Sequence, residues 1–203
     1  MESTPQNPSH VRESTPVFER MFAAVEKVRE RLERSCAALK RANVRYAIVG
    51  GHAVAAWVAT VDDGAVRNTR DVDLLLAEED LDRATIALES VGFVREETMN
   101  VTVFLDGNDG KPSQGIHVLL AETKVKPSYC TATPSVERVE MIDDKQVIVL
   151  TELVQMKLNS YRDKDKTHLR DMIGVGLVNE SRPEKFPSEL GQRLQKLLDD
   201  PDG

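Results

Sequence analysis

The stretch Tyr46–Leu76, YAIVGGHAVAAWVATVDDGAVRNTRDVDLLL, decides how the chain is read. Tyr46 to Val49 is a short apolar run that breaks at Gly50-Gly51, the pattern of a buried strand ending in a bend. His52 to Ala59 is a small-residue apolar segment of helical length carrying the sole tryptophan, Trp57. A polar loop with Arg67 and Arg70 then leads into Asp71-Val72-Asp73 and three leucines, which read as a second strand. Side chains two apart on a strand share a face, so Asp71 and Asp73 project together. Two adjacent carboxylates raise each other's pKa, and a divalent cation between them relieves the repulsion. Oxygen donors of this kind suit Mg²⁺ or Mn²⁺. Glycine lets backbone approach a ligand closely, and a helix that begins there presents unpaired N–H groups and a positive dipole end. Gly50, Gly51 and His52 are therefore the candidate phosphate cradle. An anion cradle beside a metal-binding pair is the equipment of phosphoryl or nucleotidyl transfer.

These residues resemble a known signature. VGGHAVAAW followed by RNTRDVDLLL is similar to the DNA polymerase beta-like nucleotidyltransferase superfamily, in its small bacterial branch that includes the abortive-infection toxin nucleotidyltransferases. The resemblance covers about residues 38–178, and Val61 to Asn68 reads as an insertion relative to minimal members. It implies an α/β fold: a small mixed sheet flanked by helices, with a helical C-terminal section. It also implies an NTP substrate, Mg²⁺ or Mn²⁺, and transfer of NMP to an acceptor hydroxyl on a protein, an RNA or a small molecule. A third carboxylate stands in that superfamily on the strand next to the acidic pair. Laying GIHVLLAE on the pattern puts His117 there, a polar residue in a strand apolar on both faces. A histidine satisfied within the core, a catalytic His117 facing the metal pocket, and a silent site that binds nucleotide without turnover are the three readings. Lys157 and Arg162, in a region similar to the family's C-terminal helices, are candidates for contact with the triphosphate, and Arg70 beside the acidic pair is a further nucleotide-binding candidate.

The remaining chain sets the frame. Its 203 residues suit one domain with a small appendage. Residues 1–14 are polar and proline-punctuated and are expected to be disordered. Residues 15–150 form the α/β core, and residues 151–203 the helical section. The net charge of −7 argues against non-specific DNA binding. Cys36 and Cys130 have neither metal spacing nor a disulfide framework and are expected as buried free thiols. No run approaches membrane-spanning length and no signal-peptide plan is present, so the cytoplasm is the expected compartment.

Thr15-Pro16 is expected to start a helix, with Thr15 as its cap and Pro16 in the first turn. An apolar stripe of Phe18, Phe22, Val25, Val28, Leu32, Cys36 and Leu39 then carries it to about Asn43. Its charged face, Glu26 to Arg34, reads as solvated. Glu78 to Val91 reads as a helix burying Leu81, Ala84, Ile86 and Leu88. Val101–Leu105 and Ile116–Leu120 read as a hairpin, and the Asp106, Asn108 and Asp109 between them as turn chemistry rather than a calcium loop. Val136–Ile142 and Gln146–Leu150 read as strands. Thr151 is expected to cap the next helix, and His168 with Asp171 to form a structural pair. Phe186–Leu198 reads as a last amphipathic helix. Asp-x-Asp also serves glycosyltransferases and haloacid dehalogenase-type phosphatases. The first want a longer nucleotide-binding domain before the motif, and the second want Gly-Thr after it, where this chain has Leu-Leu.

Overall fold

The computed structural model describes residues 16–98 and 101–201; the expected disordered segment 1–14, with His10, and the expected Thr15 cap lie outside them. Seven strands form one mixed sheet: β1 (Tyr46–Val49), β2 (Val72–Leu76), β3 (Phe93–Thr98), β4 (Val101–Asp106), β5 (Ile116–Leu120), β6 (Val139–Ile142) and β7 (Lys145–Ile148). Their order is β3-β4-β5-β2-β1-β7-β6. β2 lies at the centre, antiparallel to β1 and parallel to β5, and β1 continues in parallel to β7. A strand buried on both faces reads as a near-continuous apolar run, and Val72, Leu74, Leu75 and Leu76 are all fully buried.

Six helices flank the sheet: α1 (Val17–Arg41), α2 (Gly50–Ala59), α3 (Leu81–Glu89), α4 (Leu150–Ser160), α5 (Asp163–Gly174) and α6 (Ser188–Asp199). The expected α/β architecture is what the chain adopts. α1 packs on α3, with the Cys36 thiol against the Tyr46 hydroxyl, whereas α2 packs with α4 and α5. Trp57 on α2 donates its indole N–H to the Ile148 carbonyl at 2.9 Å, tying the helix to β7. Asp80 anchors the other side of the sheet. Its buried carboxylate accepts from Arg45 (2.9 Å) and from Arg83. No helix among the described residues is long and apolar enough to cross a membrane.

Several local expectations are corrected. The apolar stripe of α1 is buried only from Leu32 onward; Phe18 and Phe22 are 73% and 76% exposed. A helix of 25 residues is about 37 Å long, and its first half runs past the surface that covers the second. On the polar side, Arg31 is buried and ion-paired to Asp106, and Arg34 bonds the same carboxylate while stacking on Phe93, so that part of the face is not solvated. Pro16 occupies the N-cap position of α1 rather than its first turn. Ile86 is 70% exposed because it lies about 200° around the helix from Ala84.

β3 has no counterpart in the expected elements: FVREET is a half-polar strand at the sheet edge, and of Phe93 to Glu97 only Phe93 is deeply buried. Val136 is buried in a loop, and the strand starts at Val139. α4 starts one residue before Thr151, with Val149 at the N-cap; β7 passes almost directly into the helix, and the Thr151 hydroxyl accepts from Arg182 instead. Cys36 is buried, but Cys130 is only partly so, its thiol reaching Glu189 at 3.0 Å.

Candidate active site

Sheet register assembles the acidic pair and the histidine. Asp73 sits between Val49 of β1 and His117 of β5 in the hydrogen-bonded register, and in-register neighbours point to the same face. Asp71 precedes β2 by one residue. Asp71, Asp73 and His117 each bring one donor atom within 4.8 Å of the others. All three are half-buried at a surface the sheet holds rigid.

Gly50 is the hinge of the site. Its φ of +68° lies in the left-handed region, and a Cβ placed on it would stand 1.9 Å from Asp73 Oδ2. A Cβ on Gly51 would stand 2.7 Å from Thr69 Oγ1. The two glycines thus let the start of α2 lie directly against the acidic pair, with the helix dipole favouring negative charge there. His52 follows on α2, and its Nε2 is buried without a hydrogen-bond partner among the described residues. Burial lowers its pKa, against the pull of Asp73 and Asp71.

His117 has its tautomer set by its surroundings. Nε2 lies 2.8 Å from the Pro112 carbonyl, which can only accept, so Nε2 carries the proton. Nδ1 then faces Asp73 Oδ1 at 3.6 Å. A neutral ring would aim a lone pair at a carboxylate, an arrangement that favours either protonation or a cation between the two. The Asp73 carboxylate first, then the Pro112 carbonyl, outweigh burial and raise the His117 pKa. For Asp71, burial opposes ionisation, yet the Thr69 hydroxyl (2.9 Å), its own amide and the Lys164 charge outweigh it and lower the pKa.

The cations divide unequally. Lys157 is 5% exposed and its Nζ pairs with buried Asp165 at 3.4 Å. Burial lowers its pKa and Asp165 partly offsets this. Arg162 bonds the same carboxylate at 2.7 Å, and Ser160 donates to it as well. Against the opposing effect of burial, these partners hold the Asp165 pKa at about 2. Lys157 and Arg162 therefore meet at Asp165 rather than extending freely into the cleft. Arg70 is exposed and makes no ion pair among the described residues. Lys164, which the sequence reading passed over, places its Nζ 3.9 Å from Asp71 Oδ2. One further bond straps the 61–70 loop to α5: Arg67 donates to Asp171 at 2.7 Å. That bond takes the carboxylate expected to pair with His168, whose Nδ1 is buried and without a hydrogen-bond partner among the described residues. The loop and α5 enclose an open cleft of about 510 Å³ lined by Asp62, Arg67, Arg170 and Asp171.

The chain matches no protein-family model. No curated protein matches its sequence. Solved structures do match. The antibiotic-resistance factor ANT(2'')-Ia aligns over 85% of this chain and 82% of its own, at 16% identity and a TM-score of 0.46. The lincomycin-bound lincosamide antibiotic adenylyltransferase LnuA aligns over 80% and 99%, at 11% and 0.48. An antigenic nucleotidyltransferase-like protein from Paracoccidioides brasiliensis aligns over 92% and 90%, at 18% and 0.46. All three fall below a TM-score of 0.5, and the functional reading rests on the site's own residues.

The donor set fits a divalent cation. Two carboxylates are hard ligands that suit a divalent cation such as Mg²⁺ or Mn²⁺. The Nε2–H to carbonyl bond on His117 fixes the ring and holds Nδ1 toward the acidic pair.

Proposed function

We propose that the chain is a metal-dependent nucleotidyltransferase that moves NMP from an NTP to an acceptor hydroxyl. One observation carries this: Asp71, Asp73 and His117 converge within 4.8 Å at the Gly50 bend, where the N-terminus of α2 meets them. Asp71 and Asp73 would hold Mn²⁺ or Mg²⁺, which when bound supplies charge neutralisation at the phosphates. The backbone N–H groups opening α2 at Gly50, Gly51 and His52 receive phosphate oxygens. Lys164 and Arg70 add positive charge at the rim, and Arg162, anchored on Asp165, adds its field from behind. The acceptor oxygen attacks the α-phosphorus, the α–β bridging bond breaks, and pyrophosphate leaves. His117 Nδ1, held toward the site by its Pro112 bond, takes the hydroxyl proton.

Calorimetry with Mn²⁺ and each NTP, followed by labelled-NTP transfer into a cell lysate, tests the assignment. Wild type binds and transfers label; Asp73→Ala loses binding, and Asp71→Asn loses transfer. His117→Gln keeps Mn²⁺ affinity and loses turnover. Equal nucleotide affinity in wild type and Asp73→Ala overturns the site. Binding without transfer by wild type favours the second reading, a silent nucleotide-binding partner, for which a histidine at the third carboxylate position is the supporting observation.

A further inference from the structure

The first half of α1 leaves an apolar face uncovered among the described residues. Val17, Phe18, Met21, Phe22 and Val25 are between 44% and 76% exposed, and Val28 is half-buried. Two exposed phenylalanines one helical turn apart are unlike the scattered apolar residues of an ordinary surface. Their spacing is specific. Phe18, Met21, Val25, Val28 and Leu32 alternate steps of three and four, the 3.5-residue repeat of helices that pack along a common seam. Leu32 enters the core of its own chain; the four residues before it do not.

We infer that this face docks against the same face of a second copy of the chain, with the two α1 helices antiparallel. The register follows from the sequence. Turning one helix about a two-fold axis level with Ala23 sets Phe18 opposite Val28 and Met21 opposite Val25, in both directions at once. Phe22 then flanks the seam on one side near the axis. Ala24 flanks it on the other, where its small side chain lets the backbones approach. The charges agree with this orientation. Arg29, which bonds Glu26 of its own helix at 2.8 Å, comes alongside Glu19 of the second copy, and Glu19 makes no ion pair within its own chain among the described residues.

The polar side of the same segment has three acids (Glu19, Glu26, Glu30) and three bases (Arg20, Lys27, Arg29). An anionic lipid surface selects a Lys- and Arg-rich polar face, which this is not. A balanced, self-complementary face selects its own copy.

The area is adequate for a modest interface. Two phenylalanines three-quarters exposed offer about 300 Å² per copy. With Met21 and the valines, a pair of helices covers on the order of 1,000 Å², the lower end for specific association. The dimer is therefore expected to be reversible, with a micromolar dissociation constant.

Sedimentation velocity of the full chain over a concentration series tests this. Wild type moves from monomer to twice the monomer mass as concentration rises through the micromolar range. Phe18→Glu and Phe22→Glu, at positions outside the core, remain monomeric with unchanged circular dichroism and melting of the monomer. Arg29→Glu weakens the dimer, and adding Glu19→Arg restores it. A wild type that stays monomeric throughout overturns the inference, as does a dimer that survives both phenylalanine changes. Failure of the double charge reversal to restore affinity overturns the antiparallel register. None of these variants lies at the nucleotide site, so the result is independent of the proposed function.

Discussion

Replacing Gly50 with alanine separates the two things this glycine does. At φ +68° an L-residue carries a left-handed penalty of about 1–2 kcal/mol. Gly176, at φ +78°, carries the same penalty, but a Cβ there would meet nothing within 4 Å. At Gly50 the Cβ would stand 1.9 Å from Asp73 Oδ2, 2.6 Å from its Cγ and 2.7 Å from its Cβ. Ordinary contact requires the carboxylate to withdraw by about 1.5 Å. Asp73 is held in register on both sides, so its carboxylate must rotate away from Asp71 and His117, and the remaining 2.7 Å contact at its Cβ must be taken up by strain between β2 and the start of α2. Gly176→Ala is thus expected to lose about 1–2 kcal/mol in urea denaturation, and Gly50→Ala about 1–3 kcal/mol more from the overpacked contact. Only Gly50→Ala is expected to lose Mn²⁺ affinity, by about 10–100-fold, the range seen when the support of a ligand is disturbed. A Gly50→Ala protein that takes up Mn²⁺ like wild type, or a Gly176→Ala protein that loses it equally, would refute the argument that the bend and the acids share one pocket.

Two further outcomes concern the charges behind the site. Asp165→Asn removes the partner that the buried Lys157 ammonium bonds, leaving only the more distant Asp73 charge, and breaking a buried pair of this kind costs about 3–5 kcal/mol; a change in urea midpoint worth less than about 1 kcal/mol would show that the pair is not closed in solution. His168 is held near pKa 4, first by burial and then by the Lys157 charge, against about 6.5 when unfolded. Between those values the unfolded chain binds more protons, so stability falls as pH drops from about 6.5 toward 4, by about 2 kcal/mol after discounting for partial exposure. His117, with a raised pKa, contributes in the opposite sense, its stabilisation being lost as pH rises. The difference between wild type and His168→Gln in urea melts across this window isolates the His168 part; identical pH profiles would contradict it.

What the sequence made legible was local. Gly50-Gly51 followed by Asp71-x-Asp73 is a contiguous pattern whose chemistry does not depend on the rest of the fold. His117 stood out because a polar residue in an apolar strand needs a partner. That the partner is Asp73 was not readable, because the parallel pairing of β2 with β5 joins residues 44 positions apart. Lys164 sits in DKDKTH, where nothing distinguishes a lysine aimed at Asp71 from a solvated one. The same ambiguity hid Asp165, which reads as surface charge and is fully buried. On α1, periodicity located the apolar face correctly but carries no information about what covers it. Edge strand β3 escaped notice because one-sided burial leaves only Phe93 as a strong signal.

Lys157 and Lys164 show why the distinction matters for chemistry. Both lie on the helices beside the site, and helical spacing favoured Lys157 as the phosphate ligand because it falls on the buried stripe. Burial is what disqualifies it as a mobile cation: an ammonium with almost no solvent contact needs a counter-charge, and Asp165 supplies it. Lys164 is about half exposed and only 3.9 Å from Asp71, a weak pair whose separation costs little. Under the proposed function, a divalent cation held by Asp71 would displace the Lys164 ammonium, leaving that charge beside the site for a phosphate. The fixed pair holds α4 and α5 in place, and the loose pair next to it supplies the charge that can change partners.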